Sequence, residues 1–216
     1  MHQTRNEMPK TWPIARKGTK YLTVASHSKN KGIPLVFVLR DMLGLVKTNK
    51  ESRYFVMNKN IKVNNKIRTN EKFPLQIFDS ICLEKLNKYY VLVIKDKKLS
   101  LKEVSEKEAE KKTVKVIGKK VIGKDKIQVN LGDGQNFLTK EKMNVGDSVV
   151  VNNKSNKIEK VLPLKIGAEV EVIGGKHLGQ RGKITEMQQL DRGKMFILKL
   201  NKQEVKLPQD LLLVVD

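Results

Sequence analysis

The chain has 216 residues and a formal net charge of +21, with 44 Lys and Arg against 23 Asp and Glu. Because solubility does not require an excess of this size, we expect a polyanionic partner, either nucleic acid or an anionic surface. One cysteine and no apolar run of about 18 residues predict a cytoplasmic protein without disulfides, a cysteine-ligated zinc, a signal peptide or a membrane helix.

Residues 1–33 are predicted to be a basic N-terminal extension. They hold seven basic residues and one acidic residue, and they show no sustained apolar period. Such a segment cannot bury enough apolar surface to fold alone, so we expect it to order on a partner. Trp12 either stacks on a base or packs under the neighbouring domain, and burial is the commoner fate of a lone tryptophan.

Residues 34–95 predict two helices and a hairpin. Pro34 suits the first turn of a helix, and apolar residues from Leu35 to Val46 follow a period of 3.6. Thr48 and Glu51 have the spacing of a capping box, which opens a second helix. The segment "IKVNNKIR", residues 61–68, alternates about an Asn-Asn pair, and asparagine tolerates the positive φ that a tight hairpin requires.

Residues 96–163 are predicted to form a central β domain. Alternation from Tyr89 to Leu101 predicts a strand that leads into it, and a short helix is expected within residues 101–112. Residues 113–163 then contain short alternating segments separated by glycines, a pattern typical of a small barrel or sandwich. Cys82, in the preceding segment, is predicted to be a small buried hydrophobe.

Residues 164–216 are predicted to form a small SH3-like barrel. Between two alternating runs lies "VIGGKHLGQRGKI", residues 172–184, a tight cationic loop. Glycines allow sharp turns and the close approach of a ligand. The predicted turn glycines are Gly174, Gly175, Gly179 and Gly182. Together, the four segments predict an α+β chain that is mostly β.

The order of these motifs resembles a known family. "VEVIGGKHLGQRGKI" is similar to the KOW motif of ribosomal proteins and transcription elongation factors, with Gly182 at its characteristic glycine. "PLVFVLRDMLGLVKTNKESRYFVMNKNIKVNNKIR" resembles an S4-type RNA-binding domain, including "LRD" and a hairpin pattern that Val63, Lys66 and Arg68 match. With the leader "PKTWPIARKG", essentially the whole chain resembles the archaeal and eukaryotic small-subunit ribosomal protein S-four-e family. It departs from that family at residues 64–65, where Asp-Gly is usual, and at residues 25–26, where Pro-Gly is usual.

The resemblance implies a structural protein of the small ribosomal subunit, bound to ribosomal RNA and to neighbouring small-subunit proteins in the cytoplasm. It implies no catalytic role, cofactor, metal or small-molecule substrate. Folded RNA hides its base edges, so recognition should rest on phosphates, 2′-hydroxyls and shape. The residues predicted to bind RNA are Lys10, Trp12, Arg16, Lys17, Lys20, Lys29, Lys31, Arg40, Lys47, Lys50, Arg53, Lys66, Arg68, Lys176, His177, Gln180, Arg181 and Lys183.

These residues also have structural interpretations. Arg40 is equally well explained by an ion pair with Asp41, and His177 by a solvated loop position. Single exposed lysines are usually solvated charges, so only their collective field follows from charge alone. A lysine-rich genome would explain the lysine usage but not the deficit of acidic residues.

Three other functions remain open at this point. S4-like domains occur in RNA-modifying enzymes, and "QLDRG" at residues 189–193 is similar to the aspartate environment of pseudouridine synthases; we interpret Asp191 as a turn residue because the chain has no room for a separate catalytic domain. His2, His27 and His177 show no metal-ligand pattern. A non-ribosomal KOW protein of the elongation-factor type would lack the S4-like helices, and an extraribosomal RNA chaperone would bind diverse RNAs alike.

Overall fold

A computed structural model describes residues 2–29, 31–123, 126–190, 193–200 and 203–215. The chain is mostly β, as predicted, and divides into two compact units, Met1–Lys112 and Thr113–Asp216. This division falls after residue 112, within the predicted central segment of residues 96–163. Within the described ranges, no helix is long and apolar enough to cross a membrane.

The first unit combines short strands with short helices. Its strands are β1 (Gln3–Thr4), β2 (Tyr21–Leu22), β3 (Ile33–Pro34), β4 (Ile61–Val63), β5 (Lys66–Ile67), β6 (Pro74–Leu75), β7 (Ser80–Leu83), β8 (Lys88–Lys95) and β9 (Lys98–Val104). Its helices are α1 (Leu35–Phe37), which continues as a π-helical turn (Val38–Met42), α2 (Asn49–Met57) and α3 (Glu106–Ala109). An antiparallel sheet has the order β5-β4-β7-β8-β9, and β1-β2 and β3-β6 form separate pairs.

The two predicted helices are present, but the first is shorter than its apolar period suggests. The side chains from Leu35 to Leu39 are all buried, so this turn lies inside the core rather than on an amphipathic surface. Gly44, at φ 64°, stops the helical path. The second helix begins as predicted, because the Thr48 hydroxyl accepts a hydrogen bond from the Glu51 amide at 3.2 Å. The Glu51 carboxylate caps the Lys47 amide, and this bond lowers the carboxyl pKa.

The predicted Asn-Asn hairpin joins β4 and β5, with φ of 49° at Asn64 and 61° at Asn65. The Asn64 side chain is buried and donates to Asp79 Oδ1 at 2.7 Å, while its own oxygen accepts from the Ser80 amide at 2.9 Å. Asparagine therefore supplies both the turn conformation and two internal hydrogen bonds. A second hairpin, between β8 and β9, turns at Asp96 and Lys97 with positive φ at both. The alternation from Tyr89 to Leu101 predicts a single strand there.

The N-terminal segment differs from its prediction, because residues 2–29 pack on the first unit. Trp12 is 2% exposed, and its ring centroid lies 5.3 Å from that of Phe37. The Leu99 amide donates to the Thr11 carbonyl at 2.8 Å, which attaches the segment to β9. Isolated apolar anchors, rather than a periodic apolar face, hold this segment, and for that reason the periodicity rule does not detect it.

A buried ion pair lies in the first unit. The Lys112 ammonium is 2.7 Å from Asp79 Oδ1, and both side chains are at most 4% exposed. The other oxygen of Asp79 accepts from the Gln76 amide at 2.7 Å. A buried charge persists only when it is paired and hydrogen-bonded, and Asp79 meets both conditions.

Cys82 lies on β7 and is half-buried, not fully buried as predicted. Its neighbours Ile81 and Leu83 occupy the core face of the strand. Because side chains alternate along a strand, Cys82 faces away from that core. Partial burial still raises the pKa of its thiol.

The second unit is built from β-strands, and the predicted strand segments are confirmed with shifted ends. They are β10 (Lys111–Gly123), β11 (Lys126–Leu131), β12 (Asn136–Thr139), β13 (Ser148–Asn152), β14 (Lys157–Leu162), β15 (Glu169–Val172), β16 (Arg181–Leu190), β17 (Gly193–Leu200), β18 (Gln203–Pro208) and β19 (Leu212–Val214). Two five-stranded sheets have the orders β12-β11-β10-β13-β14 and β18-β17-β16-β15-β19.

Polar side chains connect the two sheets of this unit. Lys115 on β10 donates to the Leu212 carbonyl at 3.0 Å and to the Gln209 carbonyl. Ser148 Oγ on β13 accepts from the Val214 amide at 2.9 Å. Burial lowers the pKa of Lys115 to about 8, against the attraction of Asp210. These contacts join the first sheet to β19, the strand that pairs with β15, and the glycine-rich loop of residues 174–180 follows β15.

Candidate nucleic-acid interface

The start of α2 presents two exposed lysines, whereas the arginines beside it are held by the protein. Lys47 and Lys50 are exposed at the N-terminal end of the helix. Arg53, also exposed, donates through Nη2 to the buried carboxylate of Glu71 at 2.9 Å. Lys50 therefore remains available to an anion, whereas Arg53 is paired with Glu71 and Lys47 lies beside the Glu51 carboxylate.

Arg40 has the structural role that the sequence left open. Its guanidinium is 2.9 Å from Asp41 Oδ2 and donates to Asn49 Oδ1 at 2.6 Å. It also lies 5.3 Å from the centroid of the Phe37 ring. Arg40 thus joins the first helical turn to the start of α2.

On the neighbouring hairpin, Lys66 is exposed on β5, but Arg68 is not free. The Arg68 guanidinium lies 4.2 Å above the Phe73 ring, a cation–π contact. Its Nε is buried without a hydrogen-bond partner. Arg68 consequently packs on the unit, and Lys66 is the cation that this hairpin offers to solvent.

The cations of the N-terminal segment remain accessible even though the segment is folded. Lys10, Arg16, Lys17, Lys20 and Lys31 are exposed, and Lys29 is half-buried. Trp12 is the exception among the predicted contacts of this segment, since its burial leaves no ring face for a base. Trp12 therefore packs under the neighbouring residues of the first unit, and does not stack on a base.

The glycine-rich loop, residues 174–180, is closed by its own main chain. The Gly179 amide donates to the Val172 carbonyl at 2.8 Å, and the Val172 amide donates to the Gln180 carbonyl at 3.0 Å. Gly175 and Gly179 both have φ of 79°, the left-handed conformation that favours glycine. At Gly174, a Cβ atom would lie 2.9 Å from the Leu211 side chain.

Gly182 is not a turn residue, which corrects the sequence prediction. It lies within β16, opposite Val170 on β15 and Leu200 on β17. A Cβ atom there would come within 2.5 Å of the Lys199 carbonyl oxygen. Glycine is needed at this position because the strands approach closely, and not because of a positive φ.

Within the loop, the side chains differ in freedom. Lys176 is exposed, whereas His177 and Gln180 are half-buried and joined by a 3.0 Å hydrogen bond between Nδ1 and Oε1. Arg181 Nε donates at 2.9 Å to Glu171, whose side chain is 4% exposed. The main contact of Arg181 is therefore with a buried carboxylate of the protein.

Lys183 lies on β16 directly opposite Lys199, and both are exposed. Each lysine also faces a carboxylate on its other side, since Glu169 on β15 lies opposite Lys183 and Glu204 on β18 lies opposite Lys199. Opposite charges on neighbouring strands are favourable, so both lysines are compensated in part within the sheet.

Tyr54 and Arg5 are two residues of these surfaces that are absent from the predicted RNA contacts. Tyr54 is 72% exposed on α2, four residues after Lys50, and it could have been found from the helical positions opposite the buried Ser52 and Val56. Arg5 has no comparable signal. Its partners are the carbonyls of Ala15 and Thr19 and the Thr19 hydroxyl, which only the fold brings near.

These surfaces carry exposed cationic side chains. Among the residues that the structure describes, no group of three or more His, Cys, Asp or Glu side chains could hold a metal ion. The enzyme alternative depended on Asp191, which lies outside the described residues.

Comparison with known proteins identifies the family. The model of "Ribosomal family S4e" matches residues 86–158. Small ribosomal subunit protein eS4 of Methanosphaera stadtmanae is 35% identical over 192 residues, covering 87% of this chain and 79% of that protein. The chain belongs to the S4e family of ribosomal proteins. The eS4 protein of Nanoarchaeum equitans is 34% identical, covering 85% of this chain and 81% of its own.

A solved member of the family shares the fold. The crystal structure of the 30S ribosomal protein S4e from Thermoplasma acidophilum superposes with a TM-score of 0.75 at 24% sequence identity. The match covers 87% of this chain and 96% of that one. The family resemblance inferred from the sequence motifs is thereby confirmed.

Proposed function

We propose that this chain is a structural constituent of the small ribosomal subunit, where it binds ribosomal RNA and supports translation. The observation that carries the proposal is its membership of a family whose relatives are named as small ribosomal subunit proteins. The net charge of +21 supports RNA as the main partner, since neutralising phosphates releases condensed counterions. Neighbouring small-subunit proteins are the other expected partners, on ribosomes in the cytoplasm. The role requires no catalytic group and no cofactor.

The proposal assigns RNA binding to three modules. Residues 34–95 form an S4-like module, supported by the capped helix α2 and the hairpin of β4 and β5. The central β domain, proposed for residues 96–163, is supported from residue 113 onward by the sheet of β10 to β14, whereas residues 96–112 belong to the first unit. Residues 164–216 form a KOW-type SH3-like barrel, supported by the strand, glycine loop and strand of β15 and β16.

Within these modules, lysines are the proposed phosphate contacts and arginines mainly support them. Lysine side chains such as Lys50 and Lys176 are exposed without a carboxylate partner in the described structure, and Lys47 is exposed beside the Glu51 carboxylate. By contrast, Arg40, Arg53 and Arg181 pair with carboxylates of the chain. Removing one of these lysines should reduce RNA affinity without affecting folding, whereas removing one of the arginines should affect both.

Sedimentation of the endogenous protein through sucrose gradients, at moderate and at high salt, tests the proposal. We expect the protein to travel with the small subunit and to resist the salt wash, because many phosphate contacts act together. A protein that stays at the top of the gradient, or that travels with transcription complexes, would refute the ribosomal role. The latter result would favour an elongation-factor role.

A further inference from the structure

The N-terminal segment contains a cationic cleft that the sequence did not predict. The cleft has a volume of about 350 Å³ and lies between the residues around β1 and the loop of residues 15–20. Its charged and loop-forming lining residues are Arg5, Arg16, Lys17, Gly18, Thr19 and Lys20. None of the residues lining it is acidic. A cleft lined by four cations and no carboxylate favours an anionic ligand.

The cleft is a fixed structure, because Arg5 organises the loop around it. Arg5 Nε donates to the Thr19 carbonyl at 2.8 Å, Nη2 donates to Thr19 Oγ1 at 3.1 Å, and Nη1 donates to the Ala15 carbonyl. The Arg5 amide also donates to the Lys20 carbonyl at 2.9 Å. The backbone of residues 15–20 is therefore held at several points.

Gly18 allows the loop to close against this guanidinium. Its φ is 142°, and a Cβ atom would lie 2.8 Å from Arg5 Nη2. All the acceptors that the structure gives the Arg5 side chain are carbonyl or hydroxyl oxygens, so no carboxylate neutralises its charge. Arg16, Lys17 and Lys20 are exposed around the same space. The mutual repulsion of these four charges falls when an anion enters.

An exposed aromatic ring lies beside the cleft. The Lys20 ammonium lies over one face of the Tyr21 ring, 5.3 Å from its centroid, in a cation–π contact, and Tyr21 is 57% exposed. His2 supports the ring in an edge-to-face contact at 5.6 Å. A ring next to a phosphate site suits a nucleotide unit, because an unpaired base can stack on it while its phosphate binds the cations.

We propose that this cleft binds a backbone phosphate of ribosomal RNA and that an adjacent unpaired base stacks on Tyr21. This inference rests on the proposed ribosomal function and adds a defined site to it. Arg5 and Gly18 position the loop, Arg16, Lys17 and Lys20 attract the phosphate, and Tyr21 contacts the base.

A pair of matched double variants tests the phosphate site. Arg16→Gln with Lys17→Gln removes two cations from the cleft, and Lys97→Gln with Lys98→Gln removes two exposed cations from a hairpin of the same unit. Affinity for a full-length transcript of the small-subunit ribosomal RNA is measured by filter binding across a KCl series, with thermal unfolding as the folding control. We expect the cleft variant to bind about tenfold more weakly and to lower the salt slope by about 0.7, the value for one phosphate of a single strand.

The control variant should lose less than about threefold in affinity, a margin set by the general electrostatic contribution of two charges. If the two double variants lose the same affinity at equal stability, the cleft is part of a diffuse field and the proposal is wrong. If the wild-type protein itself does not bind the transcript, the proposed ribosomal function is refuted. This outcome differs from equal losses in the two variants, so the two failures are distinguishable. In that case the cleft proposal, which rests on that function, is also overturned.

Variants of Tyr21 separate a nucleotide site from a simple phosphate site. Tyr21→Leu should weaken binding about tenfold without changing the salt slope, because stacking releases no counterions. Tyr21→Phe should retain wild-type affinity, since the ring face is preserved. Equal affinity of Tyr21→Leu and the wild type would overturn the stacking contact.

Discussion

The two cationic loops of this protein, residues 15–20 and residues 174–180, are built in different ways. The first is held by the side chain of Arg5, which lies before the loop in the sequence and donates to the carbonyls of Thr19 and Ala15. The second is closed by main-chain hydrogen bonds and by glycines with positive φ, while Arg181 lies just outside it and pairs with Glu171. In both, an arginine stabilises the scaffold and lysines face the solvent. The difference predicts which substitutions change the fold and which change only binding.

The largest expected effect is at Gly182, which the scaffold of the second loop requires. Gly182→Ala places a Cβ atom against the Lys199 carbonyl, and backbone cannot move aside as a flexible side chain can. We expect the free energy of unfolding to fall by about 3 kcal/mol, measured by urea denaturation.

Gly123→Ala is the matched control, because Gly123 also lies on a strand but has no atom within 4 Å of its Cβ position. It should change the unfolding free energy by less than about 0.5 kcal/mol. Equal losses in the two variants would show that the close approach of β16 and β17 is not what selects glycine.

The next effect concerns Arg181, whose role links the loop to the core. Arg181→Ala leaves the buried Glu171 carboxylate without its charged partner, so we expect a loss of about 2 kcal/mol in unfolding free energy, moderated by the exposure of Arg181. Arg181→Lys should recover part of the loss. If Arg181→Ala is as stable as the wild type and only RNA affinity falls, the arginine is a ligand contact rather than a scaffold residue.

A smaller effect is expected in the first loop. Gly18→Ala forces a side chain into a positive φ and against the end of the Arg5 guanidinium, which is flexible enough to shift. We expect about 1 kcal/mol of destabilisation and faster hydrogen exchange in residues 15–20. Unchanged exchange in this loop would contradict the organising role of Arg5.

Local signals in the sequence predicted much of this fold, but contacts distant in sequence were not predictable from it. The Thr48 cap and the Asn64-Asn65 turn depend on residues within a few positions of each other, so their chemistry is readable. The hairpin at Asp96-Lys97 has a turn-forming aspartate but no glycine or asparagine after it, so its sequence signal is weaker although both residues have positive φ.

The candidate site shows the same limit. Charge counts identify which residues are cationic, but they do not say which cations already have a partner. Arg181 pairs with Glu171, ten positions away in the sequence, and Arg53 pairs with Glu71, eighteen positions away. Arginine forms such fixed pairs more readily than lysine because its planar guanidinium offers several donors in one geometry. Only the fold distinguishes these supporting arginines from the free lysines.

The smallest expected effect sharpens that distinction at one residue. Lys176 lies exposed in the glycine loop without a carboxylate partner in the described structure, so Lys176→Gln should leave the unfolding free energy within about 0.5 kcal/mol of the wild type. If it contacts one phosphate, affinity for the ribosomal RNA transcript should fall about threefold and the salt slope by about 0.7. Lys165→Gln, at another exposed lysine of the same unit, controls for loss of one charge. Equal binding losses in the two variants would mean that the loop supplies only general charge, whereas a loss confined to Lys176→Gln would mean that its closed main chain directs a cation to a particular phosphate.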